Sequence, residues 1–292
     1  MATARFFLGV DGGATRCRAR LRDSSGRELG HSVGPASNIY IDFDAAMRVV
    51  LETINSVIAA GSARQEIAVG LGLAGFSEDK EAERVAAALP EFARIVVVND
   101  AVAACVGANG LGDGGLVIAG TGSAGIARVG ATTTIIGGRG FQLGDDGSAA
   151  RLGEAALRAT MRALDGLEPM SGLARTLARH FDDDPLQMSR WAADARPKDY
   201  GAFAPQILEV ARSGDPRARE IAGEAANAIA ALANALNALG AERIALVGGF
   251  GEPLRPFLPP DVAKRLALPR RDAVDGAILL AGGTLAEDAP CP

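Results

Sequence analysis

A short apolar run that ends in an acidic, glycine-rich turn constrains this chain more than any other feature. The run Phe6–Val10 predicts a strand, and Asp11, Gly12 and Gly13 follow it directly. Glycines allow positive φ and a close backbone approach, so main-chain amides can point at anionic oxygens. Thr15 adds a hydroxyl donor, and a carboxylate at a strand end can hold a hydrated magnesium ion. The turn is typical of a phosphate and Mg²⁺ site, and equally of an ordinary hairpin.

Strands alternate with helices along the chain, which predicts an α/β layer architecture. The fully apolar, β-branched run Ile95–Val98 has the pattern of a buried parallel strand. The length of 292 residues suits about two domains. Gly107–Gly115 contains five glycines in nine residues, with almost no side chains to pack, and is the predicted boundary. We therefore expect an N-terminal lobe at 1–114 and a C-terminal lobe at 115–273.

Three further glycine turns follow predicted strands, at 120–122, 137–140 and 248–251. Ligands of open α/β sheets bind beyond the carboxyl ends of the strands. Turns from two domains can therefore converge on one cleft and hold a polyphosphate from opposite sides. One such turn is common in any α/β protein, but four of them with Asp, Ser or Thr alongside favour a ligand site.

Asp100 is the most informative single residue. It follows an apolar strand, and no basic residue stands next to it in the sequence. Because burial of an ionised carboxylate is costly, such a group more often faces a cleft. An aspartate there can accept a hydroxyl proton in phosphoryl transfer, and it can also serve as the N-cap of a helix that begins near Ala101.

Other polar residues are candidates for ligand contacts. Asp145 and Asp146 stand before a predicted helix, where one of them can contact sugar hydroxyls or hydrated magnesium and the other can cap a turn. Asn38 and Tyr40 pair an amide with an aromatic ring in a loop, which is a usual way to hold a sugar. We interpret His31 and His180 as surface residues, and 182–184 as a solvated turn.

Composition narrows the function classes. The net charge of −5 argues against a nucleic-acid partner, which normally requires a basic face. Cys17, Cys105 and Cys291 are far apart, so a local zinc or iron–sulfur motif is excluded and a reducing compartment is favoured. No stretch has the roughly 18 apolar residues of a membrane span. We expect a cytoplasmic protein without membrane or nucleic-acid partners.

In this order, the motifs resemble those of the sugar-kinase, actin and heat-shock-chaperone ATPase superfamily. Within it they are similar to the family of N-acetylglucosamine kinases and dehydratase-activating ATPases. Asp11–Arg16 resembles the first phosphate motif, Gly120–Ser123 the second, and Val247–Gly251 the adenosine motif. Other matching segments are the base-carrying pair Asn99-Asp100, the sugar-side loops at 37–40 and 137–149, and the segment 197–207, which is closest to bacterial glucosamine kinases.

The resemblance implies an α/β fold of two lobes with duplicated ribonuclease-H-like cores, a central ATP and sugar cleft, and a homodimer. It implies that the final helix, at about 274–284, returns to the first lobe. ATP and Mg²⁺ are the implied cofactors, with Asp11 for the metal and Asp100 as the base. The implied nucleotide-binding residues are Gly12, Gly13, Thr15, Gly120, Thr121, Gly122, Ser123, Gly248 and Gly249. The implied sugar-binding residues are Asn38, Tyr40, Asp100, Gly138 and Asp145.

The implied reaction is ATP-dependent phosphorylation of the 6-hydroxyl of a hexosamine. Glucosamine, giving glucosamine 6-phosphate, is the first expectation, and N-acetylglucosamine is the alternative substrate. A regulatory or activator ATPase without a sugar substrate is the third interpretation. The paired cysteines that hold an iron–sulfur cluster in the dehydratase activators are absent from this sequence.

Overall fold

The computed structural model describes residues 4–13, 15–58, 63–76 and 79–286; Ala14 and Cys291 lie outside these ranges. The chain divides into two compact units, and each unit is formed from separate segments. The first unit comprises Met1–Gly114, Arg128–Thr133 and Pro269–Pro292, and the second comprises Gly115–Ala127 and Thr134–Leu268.

Two five-stranded sheets are present among the described residues. Their strands are β1 (Phe6–Gly12), β2 (Cys17–Asp23), β3 (Glu28–Gly34), β4 (Ile67–Leu73), β5 (Arg94–Asn99), β6 (Gly114–Ala119), β7 (Ser123–Val129), β8 (Thr132–Gly137), β9 (Ile244–Val247) and β10 (Leu266–Ala267). The first sheet has the order β3-β2-β1-β4-β5 and the second the order β8-β7-β6-β9-β10. When the strands of each sheet are numbered one to five along the chain, both sheets have the order 3-2-1-4-5. This shared order confirms the two similar cores of the predicted fold.

Helices connect and cover these strands. They are α1 (Phe43–Asn55), α2 (Asp79–Ala87), α3 (Asp100–Asn109), α4 (Ala149–Leu164), α5 (Gly172–Ala178), α6 (Pro185–Asp194), α7 (Pro197–Gly201), α8 (Ala204–Arg212), α9 (Pro216–Ala238), α10 (Gly251–Leu254), α11 (Pro260–Arg265) and α12 (Ala273–Leu280). Short 3₁₀ turns occur at Arg64–Glu66, Arg179–Phe181 and Arg255–Phe257. Among the described residues, no helix combines the length and apolar character needed to cross a membrane.

The first sheet is mixed. β1 pairs antiparallel with β2 and parallel with β4, and β4 pairs parallel with β5. Leu8, Val10, Val69 and Leu71 are fully buried in its centre. The prediction that 95–98 is a parallel strand is correct, but the prediction that it is buried holds only in part. β5 is the edge strand and has a neighbour on one side only, so these four residues are half-buried.

Glycines bring α12 and α3 close to the first sheet and to each other. A Cβ atom on Gly9 of β1 would overlap the Val274 carbonyl, and one on Gly70 of β4 would overlap the Ala277 carbonyl. On the other side of α12, a Cβ on Gly276 would overlap the Ala103 carbonyl of α3. Because backbone atoms fill the space of the missing side chains, these three positions accept glycine alone without a shift of the helix.

The position of Gly107 changes the interpretation of the glycine-rich stretch 107–115. The prediction treated 107–115 as a boundary with little to pack, but α3 continues through Asn109 and Gly107 is buried within it. A Cβ on Gly107 would overlap the Asp272 carbonyl. Gly107 is therefore a packing residue between α3 and the start of α12. The first division between the units lies at the end of this stretch, between Gly114 and Gly115.

This packing predicts opposite effects of two Gly→Ala substitutions within helices. Alanine is favoured over glycine in a helix interior by about 1 kcal/mol. A methyl group added at Gly223 of α9 would meet nothing within 4 Å, so Gly223→Ala should raise the melting temperature. Gly107→Ala should lower it, because overpacking costs about 1–3 kcal/mol and the opposing atom belongs to the backbone. Differential scanning calorimetry compares the two variants, and an equal rise for both would contradict the packing argument.

Candidate functional site

In the first unit, β1 runs two residues further than predicted and includes Asp11 and Gly12, so only Gly13 of the three predicted turn residues follows the strand. Asp11 and Gly12 still pair with β2, and the Gly13 amide donates to the Arg16 carbonyl at 3.0 Å. The carbonyls of Gly12 and Gly13 accept from the amides of Ala74 and Ser37. The turn is therefore tied to the loops after β3 and β4. The Gly13 amide can reach a phosphate only if its bond within the turn opens, whereas the Thr15 side chain is exposed.

Asp11 has a cationic partner that the sequence analysis missed. Nε and Nη2 of Arg18 donate to the same oxygen, Oδ2 of Asp11, at 3.1 and 2.6 Å. Oδ1 accepts no hydrogen bond from the described residues. The signal for this pair is present in the sequence, because arginines alternate along β2 at 18, 20 and 22 and must share one face of the sheet.

Asp100 lies at the junction of β5 and α3. The predicted capping role belongs to its neighbour: Asn99 is the N-cap, and its Oδ1 accepts from the Ala101 amide at 2.9 Å. Asp100 is instead the first residue of α3, and its own Oδ1 accepts from the same amide at 2.9 Å. Nδ2 of Asn99 donates to the Phe76 carbonyl. Asn99 thus holds the helix start in place and leaves the Asp100 carboxylate available for another role.

Burial raises the pKa of the Asp100 carboxyl, and the negative charge of Asp11 raises it further. The hydrogen bond from the Ala101 amide opposes this rise in pKa only in part. Among the described residues, no cationic side chain lowers the pKa of Asp100. Asp11, by contrast, has an ion pair with Arg18. A desolvated carboxylate without a counter-ion is a strong proton acceptor, which is the property that a general base needs.

The loop with Asn38 and Tyr40 lies next to the end of β4. Asn38 forms an isolated bridge with Ala74, and its Oδ1 accepts from the Tyr40 amide at 3.0 Å. A Cβ on Gly75 would come within 2.5–2.8 Å of Asn38 and Tyr40, so glycine permits the close contact of the two loops. Tyr40 is 81% exposed and Ile41 is 79% exposed. The first unit therefore presents an amide and an aromatic ring on a loop of defined conformation.

In the second unit, the turn after β6 and the acidic loop before α4 are bonded to each other. The Ser123 amide donates to Oδ1 of Asp145 at 3.2 Å, and the Ser123 hydroxyl donates to the Asp146 carbonyl at 2.7 Å. The Gly120 amide donates to the Gly122 carbonyl. Both donors of Ser123 are thus used within the protein. The amides of Thr121 and Gly122 have no acceptor among the described residues, which leaves them available to an anion.

Asp145 and Asp146 differ in environment. Asp145 is half-buried and has a φ of 61°, and its carboxylate leaves no room for a side chain on Gly122. Asp146 is exposed, and its carboxylate accepts no hydrogen bond from the described residues. Gly138, also predicted in this region, has a φ of 65° and donates its amide to the Ser123 carbonyl. Hydrogen bonds therefore connect Ser123 to both Gly138 and Asp145.

A pocket of about 520 Å³ joins the second and fourth predicted glycine turns. Gly120 and Thr121 line it from one turn and Gly249 from the other. The remaining lining residues are mostly small or apolar: Ala149, Gly201, Ala204, Pro205, Leu208, Arg212, Phe250 and Pro253. A Cβ on Gly248 would overlap the Ala119 carbonyl, while one on Gly249 would meet nothing within 4 Å. Gly248 is thus needed for the close packing of the turn, and Gly249 leaves the pocket wall open.

The histidines, the turn at 182–184 and the described cysteines, none of which was predicted to belong to the site, have local structural environments that agree with this. His31 and His180 are exposed, with Glu28 and Gln206 as their respective partners at 2.8 Å. Asp182 and Asp183 form a turn, as expected. Cys17 and Cys105 are buried, and burial raises the pKa of both thiols. Cys291 lies outside the described residues, among which no group of three or more His, Cys, Asp or Glu side chains is placed to hold a metal.

Comparison with known proteins identifies relatives over nearly the full length. The chain is 37% identical to glucosamine kinase GspK of Vibrio cholerae over 95% of this chain and 96% of that protein. It is 31% identical to N-acetyl-D-glucosamine kinase of Dictyostelium discoideum over 79% of this chain and 78% of that one.

A crystal structure supports the same relationship. A candidate N-acetylglucosamine kinase from Chromobacterium violaceum matches with a TM-score of 0.86 and 34% identity, over 96% of this chain and all of that one. The predicted fold class is therefore confirmed. The sequence profile of the BadF/BadG/BcrA/BcrD ATPases covers residues 8–281, and the chain belongs to this family.

Proposed function

We propose that this protein is an ATP-dependent hexosamine kinase that phosphorylates the 6-hydroxyl of glucosamine. The observation that carries the proposal is Asp100, a desolvated carboxylate at a strand end that has no counter-ion among the described residues. The similarity to named glucosamine and N-acetylglucosamine kinases supports the reaction class. N-acetylglucosamine is the alternative acceptor, and a regulatory ATPase is the third interpretation.

In the proposed reaction, Asp100 accepts the proton of the sugar 6-hydroxyl while the hydroxyl oxygen forms a bond to the γ-phosphorus of ATP. The bond between that phosphorus and the β–γ bridging oxygen breaks, and ADP leaves with the electron pair. The hydrogen bond from the Ala101 amide fixes the direction of the Asp100 carboxylate. Orientation of the base matters because a misplaced group loses much of its catalytic advantage.

The nucleotide-binding residues are proposed on both units. In the second unit, Thr121 and Gly122 hold phosphates through their available amides, and the base lies along Gly248 and Gly249 in the apolar pocket. In the first unit, Gly12, Gly13 and Thr15 contribute to phosphate binding, the Gly13 amide once its hydrogen bond to the Arg16 carbonyl has opened. Gly120 and Ser123 keep the second turn in shape through their own hydrogen bonds.

Magnesium fits Asp11 by donor chemistry. Mg²⁺ commonly binds through one or two carboxylates and keeps several waters. Asp11 offers one carboxylate oxygen that is held by Arg18 and one that accepts no hydrogen bond from the described residues. We propose that Asp11 holds the hydrated ion through Oδ1. When bound, the ion would neutralise charge on the phosphates.

The sugar-binding residues are proposed as Asn38, Tyr40 and Asp100 in the first unit and Gly138 and Asp145 in the second. A free 2-amino group is cationic or nearly so at neutral pH and favours a carboxylate, whereas an acetyl group favours an apolar wall. The exposed Asp146 carboxylate is the available candidate for the amine, because Asp145 already accepts from Ser123. The homodimeric state and the cytoplasmic location expected from the sequence stay predictions.

Replacement of the base should separate binding from turnover. Loss of a general base typically slows a reaction by about 10²–10⁴-fold. Asp100→Asn should therefore lose turnover to that extent while it retains sugar binding. ATP consumption with identification of the phosphosugar, measured for glucosamine, N-acetylglucosamine and glucose side by side, is the decisive assay.

Each outcome of that assay has a distinct meaning. Preference for glucosamine supports the proposal, and preference for N-acetylglucosamine keeps the mechanism but changes the substrate. ATP turnover without any phosphosugar would reject the kinase in favour of a regulatory ATPase. Unchanged turnover in Asp100→Asn would reject Asp100 as the base.

The raised pKa of Asp100 also predicts a pH-dependent gain in stability for the same variant. The folded state binds the Asp100 proton more tightly than the unfolded state, so this group destabilises the fold as pH rises from about 4 through the raised pKa. Asp100→Asn should have a higher melting temperature than the unchanged protein at pH 7–8, and the difference should shrink towards pH 4. A lower melting temperature at neutral pH would contradict this electrostatic account.

The open wall at Gly249 allows a test of the nucleotide pocket. Gly249→Val places a side chain at the pocket without a steric clash at Cβ. The KM for ATP should rise by about tenfold or more, equivalent to at least about 1.4 kcal/mol, with little change in melting temperature. Gly112→Val, at another glycine with no neighbour within 4 Å, is the control and should leave the KM unchanged. Equal KM values for both variants would place the nucleotide elsewhere.

A further inference from the structure

A chain of alternating charges links Asp11 to the final helix of the first unit. Arg18 contacts Asp11 at 2.6 Å and Asp272 at 3.5 Å. Arg20 contacts Asp272 at 3.0 Å and Asp275 at 2.8 Å, and Arg22 contacts Asp275 at 3.0 Å. Three arginines thus alternate with three aspartates. Glu28 adds a further carboxylate near Arg20 and Arg22.

The chain is anchored at one end and accessible at the other. The side chains of Arg22 and Asp275 are 6% and 5% exposed, whereas that of Arg18 is 26% exposed. Asp272 is the N-cap of α12, and its two oxygens accept from the two terminal nitrogens of Arg20, each at 3.0 Å. α12 cannot shift easily, because Gly9, Gly70 and Gly276 pack against backbone atoms. The network therefore gives Arg18 a rigid support.

Arg18 directs its donors to one oxygen of Asp11 only. Both Nε and Nη2 donate to Oδ2, which fixes the plane of the carboxylate and leaves Oδ1 without a hydrogen bond from the described residues. A carboxylate that binds a cation is oriented by hydrogen bonds of this kind, and the loss of such a partner typically weakens metal affinity or activity about 10–100-fold. Arg18 is placed to do this for Asp11.

We propose that Arg18 is a positioning residue for Mg²⁺-nucleotide binding, which orients the Asp11 carboxylate and is itself held by Asp272 at the start of α12. The inference rests on the proposed role of Asp11. It adds that affinity for the magnesium–nucleotide complex depends on an arginine that acts through Asp11, supported by a helix from the opposite end of the sequence.

The test is titration of the full-length variants with Mg·ADP by calorimetry, with each melting temperature as a check of folding. Arg18→Met should weaken Mg·ADP binding by about 10–100-fold. Arg18→Lys keeps the charge but cannot donate from two nitrogens to one oxygen, so its affinity should lie between those of Arg18→Met and the unchanged protein. The KM for the sugar should stay unchanged in both variants, because the effect is limited to the nucleotide side.

Arg22→Lys is the matched control, because it changes the same network on the same face of β2 without contact to Asp11. It should lower the melting temperature and leave the Mg·ADP affinity unchanged. Equal losses of affinity in Arg18→Lys and Arg22→Lys would show a structural role only and overturn the proposal. Mg·ADP binding in folded Arg18→Met at or above the affinity of the unchanged protein would also overturn it.

Failure of this inference is distinguishable from failure of the proposed function. Mg·ADP binding requires no sugar, so a protein that phosphorylates no hexosamine still gives a result for Arg18. Conversely, if the protein phosphorylates a hexosamine but its Mg·ADP affinity does not change when Arg18 is replaced, the proposed reaction stands and only the positioning role of Arg18 is rejected.

Discussion

The close packing of α3 and α12 on the first sheet is the constraint on which the rest of the first unit depends. Gly9, Gly70, Gly107 and Gly276 remove four side chains where backbone atoms meet. Each helix begins with a residue that matters for chemistry or charge: α3 begins at Asp100, and Asp272 caps α12. Because backbone atoms meet at these glycines, a shift or rotation of either helix would cause collisions or leave voids, so the positions of both acids follow from this packing. The position of the proposed base, Asp100, therefore depends on how the core of the first unit packs.

The two sheets show how one strand order can serve two different tasks. In each sheet the first strand is central, with a hairpin on one side and parallel strands on the other. In the first unit, the strand ends present charged groups, Asp11 and Asp100. In the second unit, they present glycine turns with available amides and an apolar pocket. A duplicated scaffold therefore need not duplicate its chemistry, because the side chains at equivalent strand ends differ.

The sequence predicted the parts of this arrangement that depend on local patterns. Apolar strands that end in glycine turns gave the α/β class and the positions of most candidate residues. Local pattern could not separate Asn99 from Asp100 as the cap, because both carboxamide and carboxylate oxygens can accept the Ala101 amide. Nor could it show that Gly107 packs in a helix, since the opposing carbonyl of Asp272 is 165 positions away in the sequence. The alternating arginines of β2 were visible, but Asp272 and Asp275, their partners from the other end of the sequence, were not.

Four aspartates of the first unit, Asp11, Asp100, Asp272 and Asp275, show how environment assigns roles to chemically identical side chains. Asp272 and Asp275 are each bonded to arginines and serve the structure, and the pKa of Asp272 is lowered despite its burial. Asp11 is paired through one oxygen and retains the other for a ligand. Asp100 has no cationic partner in the described part of the chain, and its pKa is raised. A structural acid gains stability from full compensation of its charge, whereas a base must keep affinity for a proton. The uncompensated charge of Asp100 therefore reduces stability and is the feature that suits it to catalysis.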